Sequence, residues 1–380
     1  MQKRDMSNTQ APLTKHPINK MLPVETFMLI FEEHAKVEWR APSIDGRVCR
    51  LWRQIILNTP RAWSYLEVGK KSRPSIVDLR SWLRRSATAP LHIRIFNSTF
   101  YAYERMNTGL NNLLCEYHTR IASLRMREGK PSLFEGRDFL SLQHLDIEAW
   151  SRCLSPPGRW GLMPQLRSLR LGDTNFAVQP LDGLFSLEYL ALFYSNCAFL
   201  PQHSPSLTTL MLETVSLEGI ISGPVSFPSL TYLSLYDVTG LKPYIDAPHL
   251  VTYHEGGGDM TQSFTTPLQS ITEYGVYYKE TAVPDLTAWH PAFTNVSRLS
   301  IRAYPMVLVP LFDSLASHLH VFPALRTICV GMVELGINFI ENVRKPMMES
   351  VQVRSRACGM DIALYFGPSQ IPIFFGRVSH

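Results

Sequence analysis

Two rhythms of apolar and polar positions divide this chain. Over residues 22–66 the apolar residues recur at helical spacings. Phe27, Ile30 and Phe31 mark one side of a helix that opens at Leu22-Pro23, the proline standing where a first turn tolerates it. Ala41-Pro42-Ser43 breaks that pattern. Val48, Leu51, Trp52, Ile55 and Ile56 then fall at i, i+3, i+4, i+7 and i+8, the stripe of an amphipathic helix, and Asn58-Thr59-Pro60 stops it. Trp63 and Leu66 add one more apolar face. A helical unit of roughly 45 residues is small for a core of its own and needs something to pack on. Beyond it, 74–86 reads as a helix, 90–96 alternates like a half-buried strand, and 103–117 carries a further amphipathic helix.

The second rhythm is a phrase, Leu-x-x-Leu-x-Leu. It stands at 141–147 (SLQHLDI), 165–171 (QLRSLRL), 186–192 (SLEYLAL), 206–212 (SLTTLML) and 229–235 (SLTYLSL), with weaker copies before and after. Its middle apolar residues fall at 124, 145, 169, 190, 210, 233, 253, 271, 299, 328 and 351, steps of 18 to 29 residues. That period and phrase are the signature of leucine-rich repeats. Each copy predicts one short strand whose alternate residues, such as Leu145 and Ile147, enter a shared core. Stacking the copies in a parallel sheet buries what no single copy can. Proline often precedes the phrase, which suits irregular outer connections. Outer helices are expected only near 311–319 and 332–343. Common repeats carry an asparagine three residues after the last leucine of the phrase; here those positions hold Trp150, Thr174, Ser195, Val215 and Val238, so the turns must be satisfied otherwise.

The order of residues in the helical unit resembles an F-box. Leu22 and Pro23, Ile30 and Phe31, Val48-Cys49-Arg50 with Trp52, and the Pro60/Trp63 pair match the family in sequence. RVCRLWRQIILNTPRAWSYLEV and LRSWLRRSATAPLHIRI are similar to the variant abundant in mushroom-forming fungi. One departure is Asp45, where the family usually carries an apolar residue. The resemblance implies a substrate receptor of an SCF-type cullin–RING ubiquitin ligase. Leu22, Pro23, Ile30, Phe31, Val48, Cys49 and Trp52 would bind the Skp-family adaptor, and through it the cullin and RING subunits; some of the seven must instead fill the head's own core.

Composition narrows the alternatives. With 45% apolar and 18% charged residues, the chain is that of an ordinary folded protein. No apolar run approaches a membrane span, 306–312 being the longest candidate, and the N-terminus lacks the apolar core of a secretory signal. The six cysteines have neither close pairs nor a CxxC, which suits a reducing cytoplasm or nucleus. The net charge of +5 is gathered toward the N-terminus, yet Arg80, Arg84 and Arg85 alternate with Leu79, Trp82 and Leu83 as on a solvated helix face. No nucleic-acid-binding motif accompanies them. Gly256-Gly257-Gly258 has no phosphate-binding lysine behind it, and the twelve histidines are scattered, so neither a catalytic site, a metal nor a cofactor is expected.

The expected architecture is an α/β chain. Residues 1–19 form a mobile lead-in, 20–68 an F-box-like helical domain, 69–118 a helix–strand–helix linker, and 119–380 an irregular leucine-rich-repeat solenoid with a parallel inner sheet and C-terminal cap. Residues flanking the core leucines face the opposite side of the sheet. Tyr189, Phe193, Met211, Tyr232 and Tyr236 thus form an aromatic–methionine surface for an unidentified target protein, unless the apolar tail at 371–375 covers it. The competing reading is a non-catalytic repeat scaffold whose head binds nothing.

Overall fold

The computed structural model describes residues 22–69, 74–96, 104–129, 133–134, 136–150, 161–172, 186–195, 204–215, 217, 225–238, 241, 245–257, 269–278, 293–332 and 339–366. The N-terminal lead-in and the tail at 371–375 lie outside them.

Three helices open the chain. Helix α1 (Val24–Val37) starts behind Pro23, with Glu25 in its first turn and Lys36 in its last, each sign opposing the helix dipole. Helix α2 (Ala41–Asp45) is short because Pro42 can stand only in its first turn. Its last residue, Asp45, is buried, and its carboxylate lies 2.9 Å from His34 Nδ1. A buried carboxylate thus sits where the family resemblance leads one to expect an apolar side chain, and the histidine satisfies it. Helix α3 (Arg50–Leu57) is capped by the Cys49 sulfur, which accepts the Trp52 N–H at 3.4 Å. Phe27, Phe31, Ala35, Ile55 and Ile56 close over Trp63, whose indole N–H donates to the Ile56 carbonyl at 2.9 Å.

The sheet begins one residue after the 3-10 turn Pro60–Trp63. Its strands are β1 (Tyr65–Val68), β2 (Leu91–Ile95), β3 (Ile121–Gly129), β4 (His144–Trp150), β5 (Ser168–Gly172), β6 (Tyr189–Ser195) and β7 (Thr209–Val215). Then follow β8 (Val225–Ser226), β9 (Tyr232–Tyr236), β10 (Ile245–Asp246), β11 (Thr252–Gly256), β12 (Glu273–Tyr277), β13 (Arg298–Ala303), β14 (Thr327–Met332) and β15 (Ala363–Phe366). All but β8 and β10 join one parallel sheet in chain order, and those two pair with each other. Strand β1 falls in the span read as head and β2 in the span read as linker, and both belong to this sheet. The large parallel sheet, laid down strand by strand in sequence order, is the solenoid-like arrangement that the repeating phrase predicts.

Leu124, Leu145, Leu169, Leu190, Leu210, Leu233, Tyr253, Tyr274, Leu299, Ile328 and Leu364 stand opposite one another from strand to strand. Two positions of the expected register are corrected. The residue aligned with Tyr253 is Tyr274, not Ile271, because Ile271 occupies the first-leucine position and is buried in the turn into β12. Residues 350–353 are helical, not a strand, and the last strand is β15. The outer helices are α6 (Pro305–Ser317) and α7 (Phe339–Cys358), the former starting six residues earlier than the pattern suggested because Pro305 fits a first helical turn. Arg354 of α7 is buried and donates to the carbonyls of Leu315, Val321 and Phe322, capping the end of α6. Helices α4 (Ile76–Arg85) and α5 (Glu104–Glu116) cover the first strands.

The missing asparagines are explained by left-handed residues. Tyr194 (φ 50°), Thr214 (φ 53°), Asp237 (φ 50°) and Gly257 (φ 71°) follow the aligned positions Phe193, Glu213, Tyr236 and Gly256. Each turns the chain inward. The residues that come next in two of the strands, Val215 and Val238, are therefore buried in the core rather than bonded to backbone.

Candidate interaction surfaces

Two surfaces stand out, one on the head and one on the inner face of the sheet. On α1, Phe27, Phe31 and Ala35 face inward while Leu29, Ile30 and Val37 are exposed on the other side. Ile44, Val48 (61% exposed), Leu51 and Leu57 are exposed on the following segments. Of the seven residues that the F-box resemblance assigns to an adaptor, Pro23, Ile30 and Val48 are on the surface, and Leu22 and Cys49 are half-buried. Phe31, 1% exposed, belongs to the head's own core. Trp52 is partly buried, with its ring 5.7 Å from Phe27 and 5.2 Å from Phe31. Leu29 and Val37 were not anticipated; their signal is that α1 carries apolar residues off its buried stripe.

The inner face has a charged end. Arg125 meets Asp146 at 3.2 Å and Glu148 at 2.8 Å, while Arg127 meets Glu148 at 3.6 Å and Arg170 meets Asp146 at 3.5 Å. Burial pushes the Asp146 carboxyl up, and the two arginines oppose that shift. The Arg170 guanidinium continues over the Phe193 ring, 5.0 Å from its centroid.

The aromatic centre follows, and it is less open than its residue types suggest. Phe193 and Met211 are only 6% and 5% exposed and form a small core with Ala191. Tyr189 and Tyr232 pack against it half-buried, and Tyr189 donates its hydroxyl to the Met211 sulfur at 3.3 Å. Tyr236 stands 5.1 Å from Tyr277, ring to ring. Burial raises the phenols of Tyr189, Tyr232 and Tyr236, so all three present neutral hydroxyls. The five residues expected to receive a target are thus neighbours on one face, two beneath and three at its rim. Tyr277 and His254 extend the patch; both lie on strands where the leucine phrase has decayed, which is why the sequence pattern did not reveal them.

Among the described residues no helix is long and apolar enough to cross a membrane, and no group of three metal-binding side chains occurs. No protein-family model matches the chain. No curated protein matches it either. Among solved structures, the crystal structure of a TLR13–ssRNA13 complex is similar over 80% of this chain and 45% of that one, at 15% identity and a TM-score of 0.31. The chain spans less than half the length of that neighbour. Its own strand order makes it an α/β protein with a large parallel, solenoid-like sheet.

Proposed function

We propose that this chain is the substrate receptor of an SCF-type cullin–RING ubiquitin ligase, working in the cytoplasm or nucleus. Its head binds a Skp-family adaptor, its sheet holds a target protein, and the transfer chemistry belongs to other subunits. The observation that carries this reading is the exposed apolar face of the head. Leu29, Ile30, Val37, Ile44 and Val48 lie in water on a unit whose core is already filled by Phe27, Phe31 and Trp63. Burying one such side chain releases about 1.5–3 kcal/mol, so five of them exposed on one small unit support a reading in which a partner covers the head. The inner burial of Phe31 favours a second reading, a repeat scaffold whose head binds nothing.

Copurification with a Skp-family adaptor separates the two. Pro23→Ala with Ile30→Ala is expected to weaken adaptor binding roughly thirtyfold while leaving the unfolding transition in place. A folded double variant that binds undiminished would defeat the residue assignment. A wild-type chain that captures no adaptor would leave the scaffold reading.

A further inference from the structure

The inner face repeats one arrangement at an interval of two strands. Tyr189 of β6, Thr209 of β7 and Tyr232 of β9 stand opposite one another in register. The Tyr189 hydroxyl donates to the Met211 sulfur at 3.3 Å, one strand on and two residues past its register partner Thr209. The Tyr232 hydroxyl meets His254 Nδ1 at 3.0 Å, again one strand on and two residues past its register partner Thr252. Both rings therefore lean the same way by the same step, and each is held at its far end. Between them the chain places only a half-exposed threonine. Ala191, Phe193 and Met211 form the apolar bed on which both tyrosines pack. Four residues further along the same strands, Phe193 and Tyr236 flank Glu213 at the same interval.

Two strand spacings amount to about 9.6 Å. Three residues of a polyproline II helix rise about 9.3 Å and bring side chains i and i+3 back to one side. The two aromatic ridges thus have the pitch of that helix. Their chemistry agrees with the pitch. Burial keeps both phenols neutral, and their hydroxyls are engaged by Met211 and His254, so the groups left to a ligand are aromatic rings. Such a surface suits a ligand that needs packing rather than hydrogen bonds. Proline has no N–H to satisfy, and aromatic-lined grooves are where proline-rich segments dock. Polyproline II is also formed before binding, so little ordering entropy opposes the contact.

We propose that Tyr189 and Tyr232 bind two prolines three residues apart in a polyproline II segment of a partner protein, lying across β6, β7 and β9. Thr209 lies beneath the span between the two prolines. That the segment belongs to a ubiquitination target rests on the receptor reading; the docking geometry does not.

The test uses the full chain with 13C-methyl methionine and follows the Met211 signal. Two blocked peptides of equal composition are titrated: Ac-PAQPAQP-NH2, with prolines three apart, and Ac-PPAAQQP-NH2, with no such pair. The expected result is a saturable shift with the first and binding about tenfold weaker or worse by the second, which can seat only one proline. Tyr232→Ala should weaken the first about thirtyfold, as truncating a central interface aromatic does. Tyr232→Phe should stay within about threefold of the wild type, because the ring and not the hydroxyl makes the contact. Should Tyr232→Ala fail to fold, Thr209→Trp, which fills the space between the rings and removes neither, should abolish binding instead. No saturable shift, equal affinity for the two peptides, or undiminished affinity in a folded Tyr232→Ala or Thr209→Trp would overturn the proposal. Adaptor capture by the same samples tests the receptor reading alone, so the two can fail separately.

Discussion

Ile30 and Phe31 are neighbours in sequence with opposite fates, and the difference is one helical step of about 100°. Phe31 packs against Trp52 in the head's core, while Ile30 faces water, so one serves stability and the other is free to serve recognition. His254 shows the same division inside a single side chain: Nδ1 is bound to Tyr232 and Nε2 is not. Its folded pKa is lowered from 6.5 to about 4, chiefly by burial. The unfolded chain therefore binds the proton more tightly, and folding stability must fall as pH drops through that window. Between about pH 7 and about pH 5 the loss should be about 2 kcal/mol. Chemical denaturation at the two pH values checks this, with His254→Gln as the control in which most of the loss disappears. An identical loss in that variant would assign the acid sensitivity to other groups.

At the scale of the element, each strand owes its shape to the turn that ends it. A left-handed residue costs a β-branched side chain about 1–2 kcal/mol, yet Thr214 occupies one at φ 53°. The stacked strands on either side over-determine that conformation. Thr214→Gly should therefore leave stability unchanged or raise it by up to about 1 kcal/mol, since glycine's own entropic cost offsets part of the relief. Gly257→Ala should do the reverse. Gly257 has φ 71°, and a Cβ there would come within 2.1 Å of Asp237 Oδ1. Parallel thermal melts decide it, and a destabilised Thr214→Gly would mean that the threonine side chain matters more than its backbone.

Head and sheet meet through three tryptophans. Trp82 on α4 packs 4.6 Å from Trp63 and 5.0 Å from Trp39, ring to ring, while Leu79 and Leu83 of the same helix enter the sheet core. Arg85 lies over the Trp63 ring at 4.5 Å. The head is thereby joined to the first strands by shared packing and by a chain connection one residue long. Trp82→Ala should let the head core exchange its amides well before the sheet does, followed by hydrogen exchange over the α1 and α3 segments. The Trp82 indole N–H is buried without an acceptor, so Trp82→Phe gives up no hydrogen bond and should keep the two parts cooperative. Unchanged exchange in a folded Trp82→Ala would show that the chain connection alone suffices.

Much of this was legible in the residues themselves. The period-two phrase determined where nine of the strands lie and which of their residues enter the core, because a strand's alternation is a local property written in Leu145, Leu169, Leu190 and their neighbours. Where the phrase decays, at Tyr253 and Tyr274, large aromatics replace leucine and the pattern loses its place by three residues; only the pairing of β11 with β12 restores it. The same limit holds for the surfaces. Sequence shows that Phe193, Met211, Tyr232 and Tyr236 leave the sheet on its inner side. How deeply each inner-face side chain is covered depends on neighbours some 20 residues away in the chain, such as Gly275 under the His254 ring and Arg170 above Phe193. Likewise, apolar residues stand on both sides of α1, and only its packing on α3 and Trp63 decides which side is the core and which is left exposed.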